Sequence, residues 1–204
     1  MCRLVMAEDN KNAPEIFSMK TSASDLDKSL ALPKKLDSKN KTPTQEIAYL
    51  AGGCFWGLED LIRKLPGVSD VEAGYTGGKT KDPNDSLVHT GMTGHAETIK
   101  VTFDSQIISY AVLLKYFFRI HDPTTLNRQG NDRGTQYRSA VFYLNEEQRK
   151  IAEKTKTEID SSGKWKDPVV TEISQAGEWI KAEDYHQDYL EKHPGGYSCH
   201  YERE

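Results

Sequence analysis

The apolar positions of the chain fall into short runs whose spacing predicts alternating strands and helices from about residue 47 onward. Ile47-Ala48-Tyr49-Leu50-Ala51 is a continuous apolar run followed by Gly52-Gly53, the pattern of a buried strand closing in a tight turn. Phe55, Leu58, Leu61, Ile62 and Leu65 then recur at helical spacing until Pro66-Gly67 stops them. Val71, Ala73 and Tyr75 alternate as a strand that breaks at Gly77-Gly78, and a polar loop follows from Lys79 to about Gly94. Glu97, Ile99, Val101 and Phe103 alternate with Ala96, Thr98, Lys100 and Thr102, which predicts a half-buried strand with Glu97 on its apolar face. Tyr110 to Ile120 is a dense apolar helix, capped by Ser109 or begun slightly earlier and ended by His121-Asp122-Pro123.

The stretch from Thr124 to Ser139 is polar, glycine-bearing and irregular, and long polar loops in compact domains are often functional. Ala140 to Leu144 reads as a strand. Asn145 and Gln148 form an approximate capping box for a thinly apolar surface helix running to about Ser162. Val169 to Ile173 is a further strand, and Ala182 to Glu191 a short helix with Tyr185 and Tyr189 on one face. His193-Pro194-Gly195-Gly196 ends that helix and leaves a flexible tail carrying Cys199.

This order of elements predicts an α+β fold of two layers, a mixed β-sheet with packed helices and a ferredoxin-like core, as a single domain over residues 45–204. Residues 1–44 are rich in Lys, Asp, Ser and Asn, with Pro14, Pro33 and Pro43. Such a composition buries little, so a flexible or loosely docked N-terminal extension is expected.

A chain of 204 residues is long enough for one well-buried domain. A net charge of −4 gives no electrostatic reason to expect nucleic acid. No run reaches membrane-spanning length, and the start is too short and too soon acidic for a signal peptide, so no membrane partner and a cytoplasmic location are expected. Cys2, Cys54 and Cys199 are odd in number and widely separated, which fits neither a disulfide framework nor a Cys-x-x-Cys motif. Gly-x-Gly-x-x-Gly and Gly-x-x-x-x-Gly-Lys are absent, which argues against a nucleotide cofactor. His95, Glu97, His121 and Asp122 match no compact ligand spacing, so no metal is expected.

Cys54 falls where the first strand ends and the first helix starts. Unpaired amides and the helix dipole favour an anion there, so the thiolate is expected to gain; the plainer alternative is a small buried hydrophobe in the turn. Phe55 and Trp56 either wall an apolar pocket beside the sulfur or pack in the core. Glu97, drawn toward an apolar face, is expected to hold its proton near neutral pH, unless it lies at the strand's exposed end and pairs with a Lys or Arg.

Six segments, in order, resemble the peptide methionine sulfoxide reductase A family. They are Gly53-Cys54-Phe55-Trp56-Gly57, Gly74-Tyr75-Thr76-Gly77-Gly78, Thr93-Gly94-His95-Ala96-Glu97, His121-Asp122-Pro123-Thr124-Thr125, the run from Gly130-Asn131-Asp132 to Gln136-Tyr137-Arg138-Ser139, and His186-Gln187-Asp188-Tyr189. The resemblance spans about Tyr49 to Tyr201. It implies reduction of the S epimer of methionine sulfoxide, free or in oxidised proteins, with Cys54 as nucleophile and Glu97 and Tyr137 as donors to the sulfoxide oxygen. It further implies that Asp132 helps hold the substrate backbone and that Phe55 and Trp56 cage the S-methyl group. Cys199 would be the resolving cysteine and thioredoxin the external thiol reductant, with no resident cofactor; the chain is expected as a monomer. Cys2 lies outside the matched region. The family usually has a second active-site tyrosine where this chain has Asp85, and a carboxylate cannot donate a hydrogen bond while ionised. A peroxide-reducing thiol enzyme and a non-catalytic binder of oxidised proteins are the competing readings.

Overall fold

The structure, a computed structural model, describes residues 44–203. The expected extension up to residue 43 lies outside the described residues, and so does Cys2. The regular elements are β1 (Gln45–Gly52), α1 (Phe55–Ile62), β2 (Val68–Thr76), α2 (Asp85–His89), β3 (Ala96–Asp104) and α3 (Tyr110–Ile120). They continue with β4 (Arg128–Gln129), β5 (Asp132–Arg133), a 3-10 turn (Thr135–Tyr137), β6 (Ser139–Tyr143), α4 (Glu146–Ser161), β7 (Glu172–Gln175), β8 (Ile180–Lys181) and α5 (Tyr189–Lys192).

The main sheet runs β7-β6-β1-β3-β2-β8. Its centre, β6-β1-β3-β2, is antiparallel throughout and takes the fourth-first-third-second order of a split β-α-β-β-α-β core. β7 joins parallel to β6, which makes the sheet mixed as expected.

Alternation along the strands divides the sheet into two faces. Leu50, Ile99, Val101 and Phe103 bury against Leu58, Ile62, Leu113 and Phe117 of α1 and α3, forming the main core. Tyr49, Ala51, Ala140 and Phe142 on the opposite face form a smaller cluster with Ile47 and Trp179. Truncating a fully buried residue of the main core such as Leu50 to Ala is worth about 2–5 kcal/mol. Helix starts follow their caps. Ser109 Oγ accepts the Val112 amide, and Asn145 Oδ1 accepts the Gln148 amide. The Gln148 side chain also donates to the Ile47 carbonyl at 2.7 Å, tying α4 to β1.

Several expectations are corrected. The polar loop after β2 contains α2, capped by Asn84, which accepts the Leu87 amide. The loop before β6 contains the β4–β5 hairpin. The strand expected at Val169–Ile173 lies at Glu172–Gln175, because the Val169 amide goes to Asp160 Oδ1 and the Val170 amide to the Pro123 carbonyl. The helix expected over Ala182–Glu191 is confined to Tyr189–Lys192. Gln187 is drawn instead onto the Ala73 amide and carbonyl, and Asp188 sits at a left-handed φ of 55° with its amide on Glu59 Oε1.

The tail around Cys199 makes hydrogen bonds to the body of the domain. His200 Nε2 meets the Gly52 carbonyl at 2.8 Å, Tyr116 donates to Glu202 at 2.8 Å, and Arg119 Nε donates to the Arg203 carbonyl at 2.8 Å.

Candidate active site

Cys54 is the N-cap residue of α1 and 8 % exposed. The turn that delivers it depends on Gly53, whose φ is +111°, and a Cβ there would stand 2.5 Å from Gln129 Cβ. The Trp56 amide, in the first turn of α1, bonds the sulfur and lowers its pKa, as the helix-terminus argument expects. Burial is the larger effect and pushes the thiol well above its ordinary value. At Cys54 burial thus opposes the helix-terminus effect on the thiol.

Glu97 is the second residue of β3, opposite Tyr75, and 4 % exposed. Its Oε2 accepts the Phe55 amide, the first of α1, at 3.2 Å. Burial raises its pKa to about 8 against the pull of that amide, and the charges of Asp85 and Asp132 push the same way. No Lys or Arg pairs with it among the described residues. Glu97 is thus a buried acid that holds its proton at neutral pH.

Tyr137 ends the 3-10 turn and is 8 % exposed. Burial, then Glu97, Asp132, Cys54 and Asp85 in turn, raise its pKa, so its hydroxyl remains a donor and lies in the electrostatic reach of the same groups. Asp132, on β5, accepts the Tyr197 hydroxyl at 3.1 Å. Burial first and the neighbouring Asp132 carboxylate second push the Cys199 thiol up to about 12, against the pull of the Cys54 amide. Cys54 and Cys199 are both free thiols in this arrangement.

Phe55 is fully buried against Tyr75 and the His186 ring. Trp56 is half-buried and stacks on Tyr189 with ring centroids 3.7 Å apart, while its indole N–H donates to His186 Nδ1 at 3.1 Å. The opposite nitrogen, His186 Nε2, lies 3.4 Å from Asp85 Oδ1. Asp85 therefore faces the imidazole that holds Trp56. Its own amide is held by Glu183 Oε1 at 2.9 Å. The other histidines of the matched motifs are structural: His95 is fixed between the Gly78 amide and the Thr80 carbonyl, and His121 between the Phe117 carbonyl and Ser139 Oγ. Among the described residues no three His, Cys, Asp or Glu side chains are grouped to hold a metal ion, and no helix is long and apolar enough to cross a membrane.

Residues 46–204 match the model of the family described as peptide methionine sulfoxide reductase. The chain belongs to this family. A peptide methionine sulfoxide reductase MsrA of Mycobacterium sp. (strain MCS) is 54 % identical over 156 residues, covering 76 % of this chain and 89 % of that protein. The reduced form of Mxr1 from Saccharomyces cerevisiae superposes with a TM-score of 0.75 at 38 % identity, covering 82 % of this chain and 98 % of that one. Mxr1 in complex with Trx2 superposes with a TM-score of 0.55 at 26 % identity, covering 82 % of this chain and 97 % of that one.

Within this reductase fold the side chains singled out in the sequence lie around the start of α1: Phe55 and Trp56 by position, Glu97 by its bond to the Phe55 amide, and Cys199, Asp132 and Tyr137 by their electrostatic reach to Cys54. Two functional candidates carried no signal in the spacing. His186 stands in a matched motif and His200 outside all of them; their ring contacts in the fold mark both.

Proposed function

We propose that the protein reduces methionine S-sulfoxide, free or within oxidised proteins, to methionine, with Cys54 as nucleophile and thioredoxin as the final electron source. The observation that carries this reading is the buried Glu97 carboxyl, its pKa raised by burial, seated on the first amide of α1 next to Cys54.

A sulfoxide sulfur is a poor electrophile until its oxygen gains a proton. Glu97 supplies that proton, and Tyr137 donates a hydrogen bond to the same oxygen as charge develops on it. As its own proton leaves, Glu97 becomes a base and takes the proton of the Cys54 thiol. One thiol and one sulfoxide thus become one sulfenic acid and one thioether, and no proton is drawn from solvent. Phe55 and Trp56 wall the S-methyl group, and Asp132 accepts from the substrate backbone. The sulfenic acid then condenses with the Cys199 thiol to give a disulfide and water. The complex of the related Mxr1 with Trx2 supports thioredoxin as the reductant of that disulfide. A peroxidase would have no use for the apolar wall.

Single-turnover reduction of each methyl sulfoxide epimer without added reductant, with thiols counted before and after, tests this reading. Wild type is expected to release one methionine from the S epimer alone and to lose two thiols. Cys54→Ser releases none. Cys199→Ser still releases one but forms no disulfide. Equal release from both epimers, or none from wild type, would overturn it.

A further inference from the structure

His200, next to Cys199 in the chain, has an imidazole 8 % exposed beneath the β1–α1 turn. Its Nε2 lies 2.8 Å from the Gly52 carbonyl oxygen. A carbonyl only accepts, so Nε2 carries the hydrogen and the neutral ring presents a bare lone pair at Nδ1. That Nδ1 lies 3.4 Å from Cys199 Sγ, within reach of an S–H donor. The ring is boxed in by two glycines: a Cβ at Gly57 would stand 2.6 Å from Nδ1, and one at Gly53 would stand 3.3 Å from Cε1. The His200 amide is itself held by Ser198 Oγ at 3.1 Å. Burial lowers the pKa to about 4, so the lone pair stays free of protons across the neutral range. Reduction of the sulfoxide gives this arrangement nothing to do.

We propose that His200 is a catalytic residue of the second half-reaction, its Nδ1 taking the thiol proton of Cys199 as that sulfur attacks the Cys54 sulfenic acid. The proposal rests on the reading above, in which Cys54 becomes a sulfenic acid. In this step the S–H bond of Cys199 breaks, an S–S bond forms and the S–O bond of Cys54 breaks in concert, so no free thiolate has to stand beside the weakly basic imidazole. The departing hydroxide takes a proton from Glu97 and leaves as water; solvent later carries the proton on His200 back to Glu97. The Cys199 sulfur is oxidised and the Cys54 sulfur reduced, so no outside oxidant or reductant enters. The Asp132 carboxylate, which receives the Tyr197 hydroxyl, is the charged neighbour of the Cys199 thiol. Its negative charge opposes a thiolate beside it and becomes a favourable counter-charge once the proton is on the imidazole, the geometry of a nucleophile, a base and an orienting carboxylate.

Rapid-quench single turnovers give the rate of methionine release and the rate of second-thiol loss in the same sample. In His200→Gln and His200→Ala the ratio of the second rate to the first is expected to fall about 100-fold. In His200→Ala, added imidazole and methylimidazoles should restore it in the order of their basicity, which a merely structural role would not give. An unchanged ratio, or a fallen ratio that no imidazole restores, overturns the proposal. Where both rates fall together, 15N spectra of the wild-type histidines decide: a protonated Nε2 with a bare Nδ1 at His200 supports it, and a protonated Nδ1 overturns it. Failure of wild type to release methionine would sink the proposed activity instead, a result visible before His200 is touched.

Discussion

Cys54 stands between the central strand β1 and the first turn of α1, with a main-chain amide on its sulfur and the fully buried Leu58 and Phe117 in the core behind it. Cys199 stands in a stretch without regular structure, close to the Asp132 carboxylate and beside His200, whose ring anchors the stretch to the Gly52 carbonyl. The first cysteine is placed by backbone that the core could not rearrange without unfolding; the second is placed by a handful of hydrogen bonds, each worth about 1 kcal/mol. The chemistry divides along the same line. Changes around Cys54 should strike the sulfoxide step and the fold together, whereas changes around Cys199 should separate disulfide formation from the step before it.

The sharpest blow to the first region is Glu97→Gln, expected to slow methionine release by about 10²–10⁴, because it removes the proton donor to the sulfoxide oxygen. The same change should make the protein more stable at pH 7. Below the unfolded pKa of about 4.5 the carboxyl is neutral in both states; above it the unfolded chain releases the proton while the folded chain holds it up to about pH 8, so wild type loses stability through that window. The loss reaches about 3 kcal/mol at pH 7, and the Gln variant escapes it. Urea unfolding at pH 4 and pH 7 checks this: a variant equal to or weaker than wild type at both values would show that Glu97 is ionised in the fold. In wild type the rate of methionine release should decline as pH rises through about 8.

Tyr137→Phe should cost more than tenfold in kcat/KM, above about 1.4 kcal/mol, since Asp85 is turned to His186 and offers no hydroxyl in place of the family's second tyrosine. A smaller loss would assign the missing donor to the Asp85–His186 pair. Gly53→Ala should lower stability by roughly 1–3 kcal/mol through its positive φ and its collision with Gln129, read as a lower urea midpoint. The mildest change belongs to the second region. Tyr197→Phe removes one half-exposed hydrogen bond to Asp132 and should weaken stability by less than about 1 kcal/mol, slowing disulfide formation more than methionine release. An equal effect on both steps would erase the distinction between the regions.

The first region was legible in the sequence, and the physics of its elements explains why. β3 alternates cleanly because one face meets α1 and α3, so the phase that buries Ile99, Val101 and Phe103 also buries Glu97. The strand-glycine-helix junction around Cys54 shows in the apolar run, the two glycines and the helical repeat alone. At Cys54 the Trp56 amide and the depth of burial act on the thiol in opposite directions, and only the first shows in the sequence. The second region was largely illegible. α2 is five residues long, too short to establish a period, and β4 and β5 have two residues each. The share of Tyr185 and Tyr189 in one helical face was a coincidence of spacing, since Gln187 and Asp188 spend their hydrogen bonds on β2 and α1 rather than on a helix. His200 carries no local pattern. Its partner, Gly52, lies 148 residues away, and only tertiary structure brings the two together.

The aromatic stack of Trp56 on Tyr189 has an optical consequence. Each of the three tryptophans stands in a different electronic setting: Trp56 is stacked and tied to an imidazole, Trp165 lies 5.9 Å from the Arg203 guanidinium, and Trp179 stacks on Tyr49 across the far face of the sheet. Proteins keeping one indole, with the others replaced by Phe, would emit from the substrate pocket, from the docked tail or from the remote sheet face, and so report on each region by colour and lifetime without an attached dye.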